Sequence, residues 1–491
     1  MQTLIKHKTI AACVALLVLF LSVLLVNTYR SGVPQTVGTA FEFQPDADRL
    51  TRQMREAIRF KTISFGRDKP VSAEALLAMH DFLEANFPRV HASLEREVVG
   101  DYSLLYTWRG RGDDKPVIFL GHLDVVPVIP GTEKDWKQPP FSGNVADGYI
   151  WGRGAIDNKV NVIGLLAAAE YMLEAGLAPD RTIYFAFGHD EEQGGLDGAR
   201  AMAAVLKSRN VDAAFLIDEG GLISRGALPG LEVPMAVIAP AEKGIVTLEL
   251  AVQGDGGHSS MPPLQTSIGI LAQAIARLEA DQFPRDFSHT QDFLEAVADE
   301  LPFFSRLMMK NLWLFRPLVM ASLKADRQGN AGMRTTTAVT MIQGGVKANV
   351  LPITASAKVN FRILPGETPE SVKRRVEQVI RDERVAVSHD GSGQKGMAPS
   401  PVSPLEGFGW EQLTSAIRDT AAPQRLVVAP RLLVAATDTR HYRELTPNHY
   451  RFTYVEMDIG DLAGIHGTNE RISVSTLSDA VRFYYRLMSR L

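Results

Sequence analysis

Three short apolar runs, Val117–Leu120, Ile183–Phe187 and Ala213–Ile217, each give way within a few residues to acidic or imidazole side chains. The first leads into His122 and Asp124, the second into Asp190, Glu191 and Glu192, and the third into Asp218 and Glu219. Apolar runs of this length without polar alternation read as strands buried on both faces. Between them, Asn161–Glu174 and Gly198–Lys207 carry apolar side chains at helical spacing. Strands alternating with helices predict an α/β fold with a mostly parallel sheet covered on both faces. Ligands of such sheets gather outside the carboxyl ends of the strands, which is where these side chains stand. Asp157, just ahead of the first helix, joins them.

A chain of 491 residues with 45% hydrophobic side chains is long enough for a large core and more than one domain. The 52 Lys+Arg and 56 Asp+Glu give a net charge of −4, and the basic residues are scattered, so a nucleic-acid surface is not expected. The single cysteine, Cys13, allows no intramolecular disulfide, so any stapling comes from packing or metal.

Lys6 and Lys8 precede an uncharged run from Thr9 to Val26, which is followed by Asn27 and Arg30. A run of this length sits at the short end of what spans a bilayer, and no small-residue cleavage site follows it. Residues 1–30 are therefore expected to be an uncleaved signal anchor rather than a cleaved signal peptide. The lysines place its N-terminus in the cytoplasm and the body outside it, in a periplasmic, extracellular or luminal space.

From about residue 41 to 240 the α/β pattern holds, with further helices around Ala47–Phe60 and Ala73–Asn86. Residues 241–395 read differently: a strand at Thr247–Val252, a helix at Ser267–Glu279, strands near Thr337–Ile342 and Ala355–Phe361, a helix at Pro369–Asp382 and a strand at Val385–Ser388. That β-α-β-β-α-β order predicts an inserted ferredoxin-like α+β domain. It is swollen by residues 281–334, rich in Phe, Leu and Met, which are expected to form a helical insertion over an apolar surface. Residues 396–491 return through a Pro/Ser/Gly stretch to the first domain and close on a helix at Ser475–Leu491.

Imidazole with several carboxylates is a ligand set suited to zinc. Packed together, such carboxylates repel unless cations neutralise them. Gly121-His122-Leu-Asp124-Val-Val-Pro, Gly-Arg-Gly-Ala-Ile-Asp157-Asn-Lys and Asp190-Glu191-Glu192-Gln-Gly-Gly resemble, in order and spacing, the signature blocks of the co-catalytic zinc exopeptidases and deacylases. That family includes aminoacylase, carboxypeptidase G2 and acetylornithine deacetylase. Asp218-Glu219-Gly-Gly, Gly257-His258-Ser-Ser, Thr437-Asp438-Thr-Arg440 and Ile465-His466-Gly-Thr-Asn-Glu make the chain most similar to the carboxypeptidase S and N-fatty-acyl-amino-acid synthase/hydrolase branch.

The resemblance implies two zinc ions per subunit, bridged by Asp157. His122 would hold one, and Glu192 and His466 the other. The remaining ligand falls within Asp218-Glu219, with Glu219 preferred and Asp218 the alternative. Asp124 is expected to orient His122, and the Asp157–Asn158 peptide to be cis. Glu191 would shuttle the proton and His258 would stabilise the oxyanion, often from a neighbouring subunit. Asn349, Arg362 and Arg440 are implied as binders of the substrate carboxylate, while His189, His441 and His449 are expected to be structural. The activity expected is carboxypeptidase S-like cleavage of small peptides with a free C-terminal carboxylate. Hydrolysis of N-acyl, including fatty-acyl, amino acids is the alternative, and a catalytically inactive ectodomain a third. The partners expected are those substrates, the membrane through the N-terminus, and a second copy of the chain through the inserted domain.

Overall fold

The computed structural model describes residues 2–30, 32, 35–67, 69–390 and 396–491. Its central sheet has six strands in the order Glu95–Val99, Ser103–Trp108, Ile183–Gly188, Val117–His122, Phe215–Asp218, His449–Arg451. The last four run parallel, and the first two add an antiparallel edge. Every residue of Val117–His122 and Phe215–Asp218 is buried, as expected of strands covered on both faces.

The covering helix Lys159–Glu174 is buried on nearly all sides, which matches its lack of a polar face. It lies against the C-terminal helix Val474–Met488, where the Tyr484 hydroxyl donates to Asn161 Oδ1 at 2.9 Å. Gly164 makes that approach possible: a Cβ there would stand 3.1 Å from the Tyr484 ring.

The inserted segment forms a four-stranded antiparallel sheet in the order Thr336–Gly344, Thr354–Ile363, Gly244–Gln253, Val385–His389. Gly244–Gln253 alternates buried and half-exposed residues, so one face packs and the other does not. Val246, Leu248, Leu250 and Val252 pack with the helices Ser267–Ala280 and Pro369–Ile380 through Ile270, Leu271, Val372 and Val376. This is the β-α-β-β-α-β arrangement predicted from the sequence. The helix Pro369–Ile380 stops two residues before the expected Asp382, because Arg381 turns into the left-handed region.

The chain leaves the body and returns to it side by side. Ile245 and Met397 bridge in antiparallel fashion, and Glu242 exchanges hydrogen bonds with Ser400. The boundary expected at 395–396 touches residues 391–395, which lie outside the described residues. Glu242 itself is buried, and it accepts from the Thr437 backbone, the Thr437 and Thr439 hydroxyls and Arg451 Nε.

The segment 281–334 forms the helices Ser288–Ala298, Phe303–Lys310, Leu312–Ala325 and Arg327–Gly332. They do not cover the inserted sheet. Phe293, Leu294, Val297 and Val319 pack instead on Met235, Val427 and Ala429 of a second sheet in the body. That sheet, Val427–Pro430, Met235–Ile238, Ile223–Arg225 and Glu456–Asp458, was not foreseen, because three- and four-residue strands carry little periodicity.

Candidate metal centre

The carboxyl ends of three parallel strands, the turn that leads into the helix Lys159–Glu174 and one C-terminal turn meet at a single point. His122 ends its strand, and its Nε2 lies 3.0 Å from Asp157 Oδ1 and 3.4 Å from Glu219 Oε1. His466 Nε2 lies 3.0 Å from Asp157 Oδ2 and 3.3 Å from Glu192 Oε2. Asp157 thus turns one carboxylate oxygen to each imidazole. Among the described residues this makes two groups, His122–Asp157–Glu219 and Asp157–Glu192–His466, whose ligand atoms lie within 4.8 Å of one another in each. His466 reaches the cluster from a left-handed backbone (φ +59°), an uncommon conformation for a residue with a Cβ.

Each side chain is held by its neighbours. The His122 Nδ1 contacts the Asp124 carbonyl at 2.9 Å and its carboxylate at 3.3 Å, so Nε2 is turned towards the carboxylates. Asp124 stays outside both groups. Its carboxylate accepts the Ser64 hydroxyl at 2.6 Å and the backbone N–H groups of Glu191 and Glu192, each at 3.2 Å. The Asp157–Asn158 peptide is cis. Asn158 Nδ2 donates to Glu219 Oε2.

Of the two acids at the third strand end, Glu219 faces His122 and Asp157. Asp218, the alternative ligand expected from the sequence, stands outside both groups. It is still within the strand, where side chains alternate in direction, and its Oδ1 accepts the Glu219 N–H at 2.8 Å. Asp190 also turns away, accepting the N–H groups of Asp197 and Gly198 at 2.8 and 2.9 Å and so shaping the Glu191-Glu192 turn.

Crowding of acids dominates the electrostatics. Burial, with the Asp157 charge next, pushes Glu219 up to about 7. Burial also pushes Glu192 up to about 7, against the opposing His466 hydrogen bond. Hydrogen bonds that His466 donates to the carboxylates of Asp157 and then Glu192 raise it to about 10. At His122, burial works the other way, but the Glu219, Asp124 and Asp157 carboxylates outweigh it and hold the imidazole well above its ordinary value. Glu192 Oε1 is buried with no hydrogen-bond partner. A nitrogen and two carboxylates per group, with a lone buried oxygen left over, is a donor set that fits zinc.

Glu191 belongs to neither group. Burial first, and then the charge of Asp438, raise its carboxyl well above the usual range. Asp438 is buried with neither oxygen hydrogen-bonded among the described residues, and a Cβ on Gly195 would fall 2.0 Å from one of them, so the double-glycine turn is what makes room for it.

Other expected site residues stand apart from the two groups. His258 is exposed, on a two-residue strand paired with Val350–Leu351, with Nδ1 2.7 Å from Ser260 Oγ. Asn349 lies beside it, its carbonyl accepting the Ser259 N–H at 3.2 Å. Arg362 is half-buried next to Lys243, whose ammonium is lowered to about 7 by burial and then by the Arg362 charge. Among the described residues Arg362 has no carboxylate partner. Arg440 Nη2 stands 4.0 Å from Asp438 Oδ1. His189, His441 and His449 bond to Ser103, the Gly194 carbonyl and the Thr446 carbonyl.

Two supporting residues were not singled out from the sequence. Ser64 carried no signal. Glu470 did, as the last residue of the Ile465-His466-Gly-Thr-Asn-Glu block. Its buried carboxylate pairs with Arg153 at 2.7 Å and accepts the N–H groups of Gly154, Ile156 and Asp157 at 3.0, 2.8 and 3.2 Å.

A family model described as peptidase family M20/M25/M40 matches residues 118–490. The chain is 42% identical over 451 residues to an N-fatty-acyl-amino acid synthase/hydrolase PM20D1.1 of Danio rerio, covering 90% of this chain and 85% of that one. It is 32% identical over 478 residues to carboxypeptidase S of Saccharomyces cerevisiae, covering 88% and 82%. Among solved structures it resembles an M20 family metallo-carboxypeptidase of Sulfolobus solfataricus, with a TM-score of 0.63 at 17% identity over 90% of this chain and 98% of that one.

Proposed function

The chain belongs to peptidase family M20/M25/M40, and from that membership we propose that it is a membrane-anchored di-zinc hydrolase of amide bonds next to a free carboxylate. The observation that carries this reading is Asp157, whose two oxygens face imidazoles on opposite sides, His122 and His466. His122, Asp157 and Glu219 would hold one ion, and Asp157, Glu192 and His466 the other. Zinc there supplies Lewis acidity, acidifying water and polarising the scissile carbonyl.

The rest of the chemistry falls to this chain's own residues. The Glu191 carboxylate takes a proton from the attacking water, which adds to the carbonyl carbon. It then returns that proton to the leaving nitrogen as the carbon–nitrogen bond breaks. Burial that favours the protonated acid suits a group that must hold a proton between the two events. His258, with Asn349 beside it, supplies a donor to the oxyanion when the inserted segment 241–395 closes or a second copy presents it. Dimer formation through that segment is supported by the exposed edge strand Thr336–Gly344. Arg362 and Arg440 are the cations for the substrate carboxylate, and the lack of a carboxylate partner on Arg362 favours it.

On the acyl side the first reading is carboxypeptidase S-like cleavage of small peptides. The second, hydrolysis of N-acyl amino acids, is favoured by the 42% identity to the Danio rerio relative. Incubating the protein, after exposure to zinc and measurement of bound metal, with a mixed panel of dipeptides and N-acyl amino acids, with products identified by mass, separates the two. Turnover of neither class, together with no bound zinc, refutes both.

A further inference from the structure

The helix Gln2–Tyr29 does not leave the body as a free stalk. Leu24 and Thr28 are buried against the helical insertion, around a knot centred on the fully buried Asn311. Asn311 directs Nδ2 at the Leu24 carbonyl and Thr28 Oγ1, both at 3.2 Å, and its Oδ1 accepts Asn27 Nδ2 at 3.1 Å and the Trp313 indole N–H at 3.3 Å. Ring contacts extend the seam, with Phe20 on Trp313 at 6.0 Å and Tyr29 on Phe303 at 6.3 Å.

Beside this seam the insertion turns an apolar face outward. On Leu312–Ala325, the side chains of Leu312, Phe315, Val319 and Leu323 point into the body's core. Trp313, Leu314 and Leu318 are 60%, 38% and 57% exposed, and Phe304 on the preceding helix is 75% exposed. Trp313 and Pro317, and Leu314 and Leu318, are four residues apart and so share one outer face. An apolar patch of this kind marks an interaction surface.

Its neighbour names the occupant. The N-terminal helix is the one described helix long and apolar enough to cross a membrane, and its upper turns are exposed apolar side chains. Phe20 lies nine residues before Tyr29, about 14 Å along the axis at about 1.5 Å per residue. That is close to half of a hydrocarbon core about 30 Å thick. Trp313, packed on Phe20, therefore reaches leaflet depth wherever Tyr29 marks the surface. Between the two elements a cleft of about 530 Å³, whose lining includes Asn27, Arg30, Lys310 and Trp313 together with the acidic Glu295, opens at the surface end of the seam. Arg30 has no carboxylate partner among the described residues, and its placement suits a lipid phosphate.

We propose that the face formed by Phe303, Phe304, Trp313, Leu314 and Leu318 is a second membrane contact, sunk in the leaflet through which the N-terminal helix passes. The catalytic body is then held at a fixed depth and orientation instead of swinging on a tether. This rests on reading the N-terminal helix as a retained anchor.

The test uses the full-length chain with Cys13→Ala and one new cysteine, Leu318→Cys or, as a control on the catalytic sheet, Val98→Cys. Each is labelled with an environment-sensitive fluorophore and reconstituted in phosphatidylcholine/phosphatidylglycerol vesicles, with unchanged turnover of a soluble short-chain substrate as the check on folding. Alkaline carbonate extraction reads the anchor, and quenching by acyl-chain nitroxide lipids against aqueous iodide reads the docking. The expected result is retention after extraction, with the Leu318 label quenched by the lipids and protected from iodide, and the Val98 label the reverse. Retention with the Leu318 label open to iodide overturns the docking and leaves the anchor standing. A label shielded from both quenchers, with Leu318→Cys chains cross-linking to each other, assigns the face to a second copy and also overturns it. Release by carbonate overturns both readings.

Discussion

Glu191 and Glu192 are adjacent, share one short 3₁₀ turn and carry the same charge, yet only Glu192 contacts an imidazole of the cluster. Truncating them should therefore give different failures. Glu191→Ala is expected to keep two zinc ions and its fold, and to lose roughly 10²–10⁴-fold or more in kcat. Glu192→Ala is expected to lose one ion and stability together, since the remaining acids are left uncompensated. Metal analysis beside steady-state kinetics checks both, and zinc loss in Glu191→Ala with retention in Glu192→Ala would reverse the two roles. The same cluster sets a pH dependence. Glu192 and Glu219 are raised from 4.5 to about 7 in the folded, metal-free protein. Stability from keeping them protonated is full below about 4.5 and is lost as pH rises through 7. His466, raised to about 10, must also give up its proton to bind metal. Zinc affinity and the zinc-induced rise in Tm should therefore increase from pH 5 to 7 and keep increasing more gently above it. Calorimetry in buffers of different ionisation enthalpy should show protons released on binding; affinity flat across that range would contradict the assignment.

At the scale of elements, the sequence made some parts readable and hid others for definite reasons. Val117–His122 is apolar up to its last residue and Lys159–Glu174 is mostly apolar over sixteen residues, so both elements were visible, and the side chains at their ends could be located from element order. The choice between Asp218 and Glu219 was not visible, because it depends on which residue is last in the strand and which way that residue points. Ser64 was hidden for another reason: it acts by donating to an Asp124 carboxylate oxygen, a contact that no sequence pattern displays, whereas Glu470 stood in a visible block but its bonds to the Asp157 loop did not show. The Thr437-Asp438-Thr-Arg440 block shows how a motif can serve two purposes at once. Thr437 and Thr439 tie to Glu242 at the root of the insert, while Asp438 is turned toward the acids of the site. His258 sits on the insert, outside the zinc groups, so His258→Ala should lower kcat while zinc content stays at the wild-type level. If a second copy supplies the histidine, mixing His258→Ala with Glu192→Ala should restore part of the activity through hybrid sites. Wild-type kcat in His258→Ala would remove it from the mechanism.

Across the whole molecule, the root of the insert is tied to the body by two adjacent strands of chain, by the packing of residues 281–334 on the body's second sheet, and by the buried charge pair of Glu242 with Arg451 at 3.2 Å. Removing one partner of such a pair leaves the other charge buried, at a cost of about 3–5 kcal/mol. Glu242→Ala should unfold at clearly lower denaturant concentration than wild type, and Glu242→Ala with Arg451→Met should recover part of the loss. A single mutant as stable as wild type would mean that the junction is held by backbone contacts and apolar packing without help from the charge pair. The metal centre, too, is built from both ends of the chain. His122, Asp157, Glu192 and Glu219 come early, whereas His466 and the Glu470 that steadies the Asp157 loop arrive only near the end. A polypeptide emerging N-terminus first can complete its central sheet only after His449–Arg451 has followed, and can close the group Asp157–Glu192–His466 only after residue 466. Catalytic competence is thereby withheld from nascent and prematurely terminated chains, so that the hydrolase stays inert until His466 has been made.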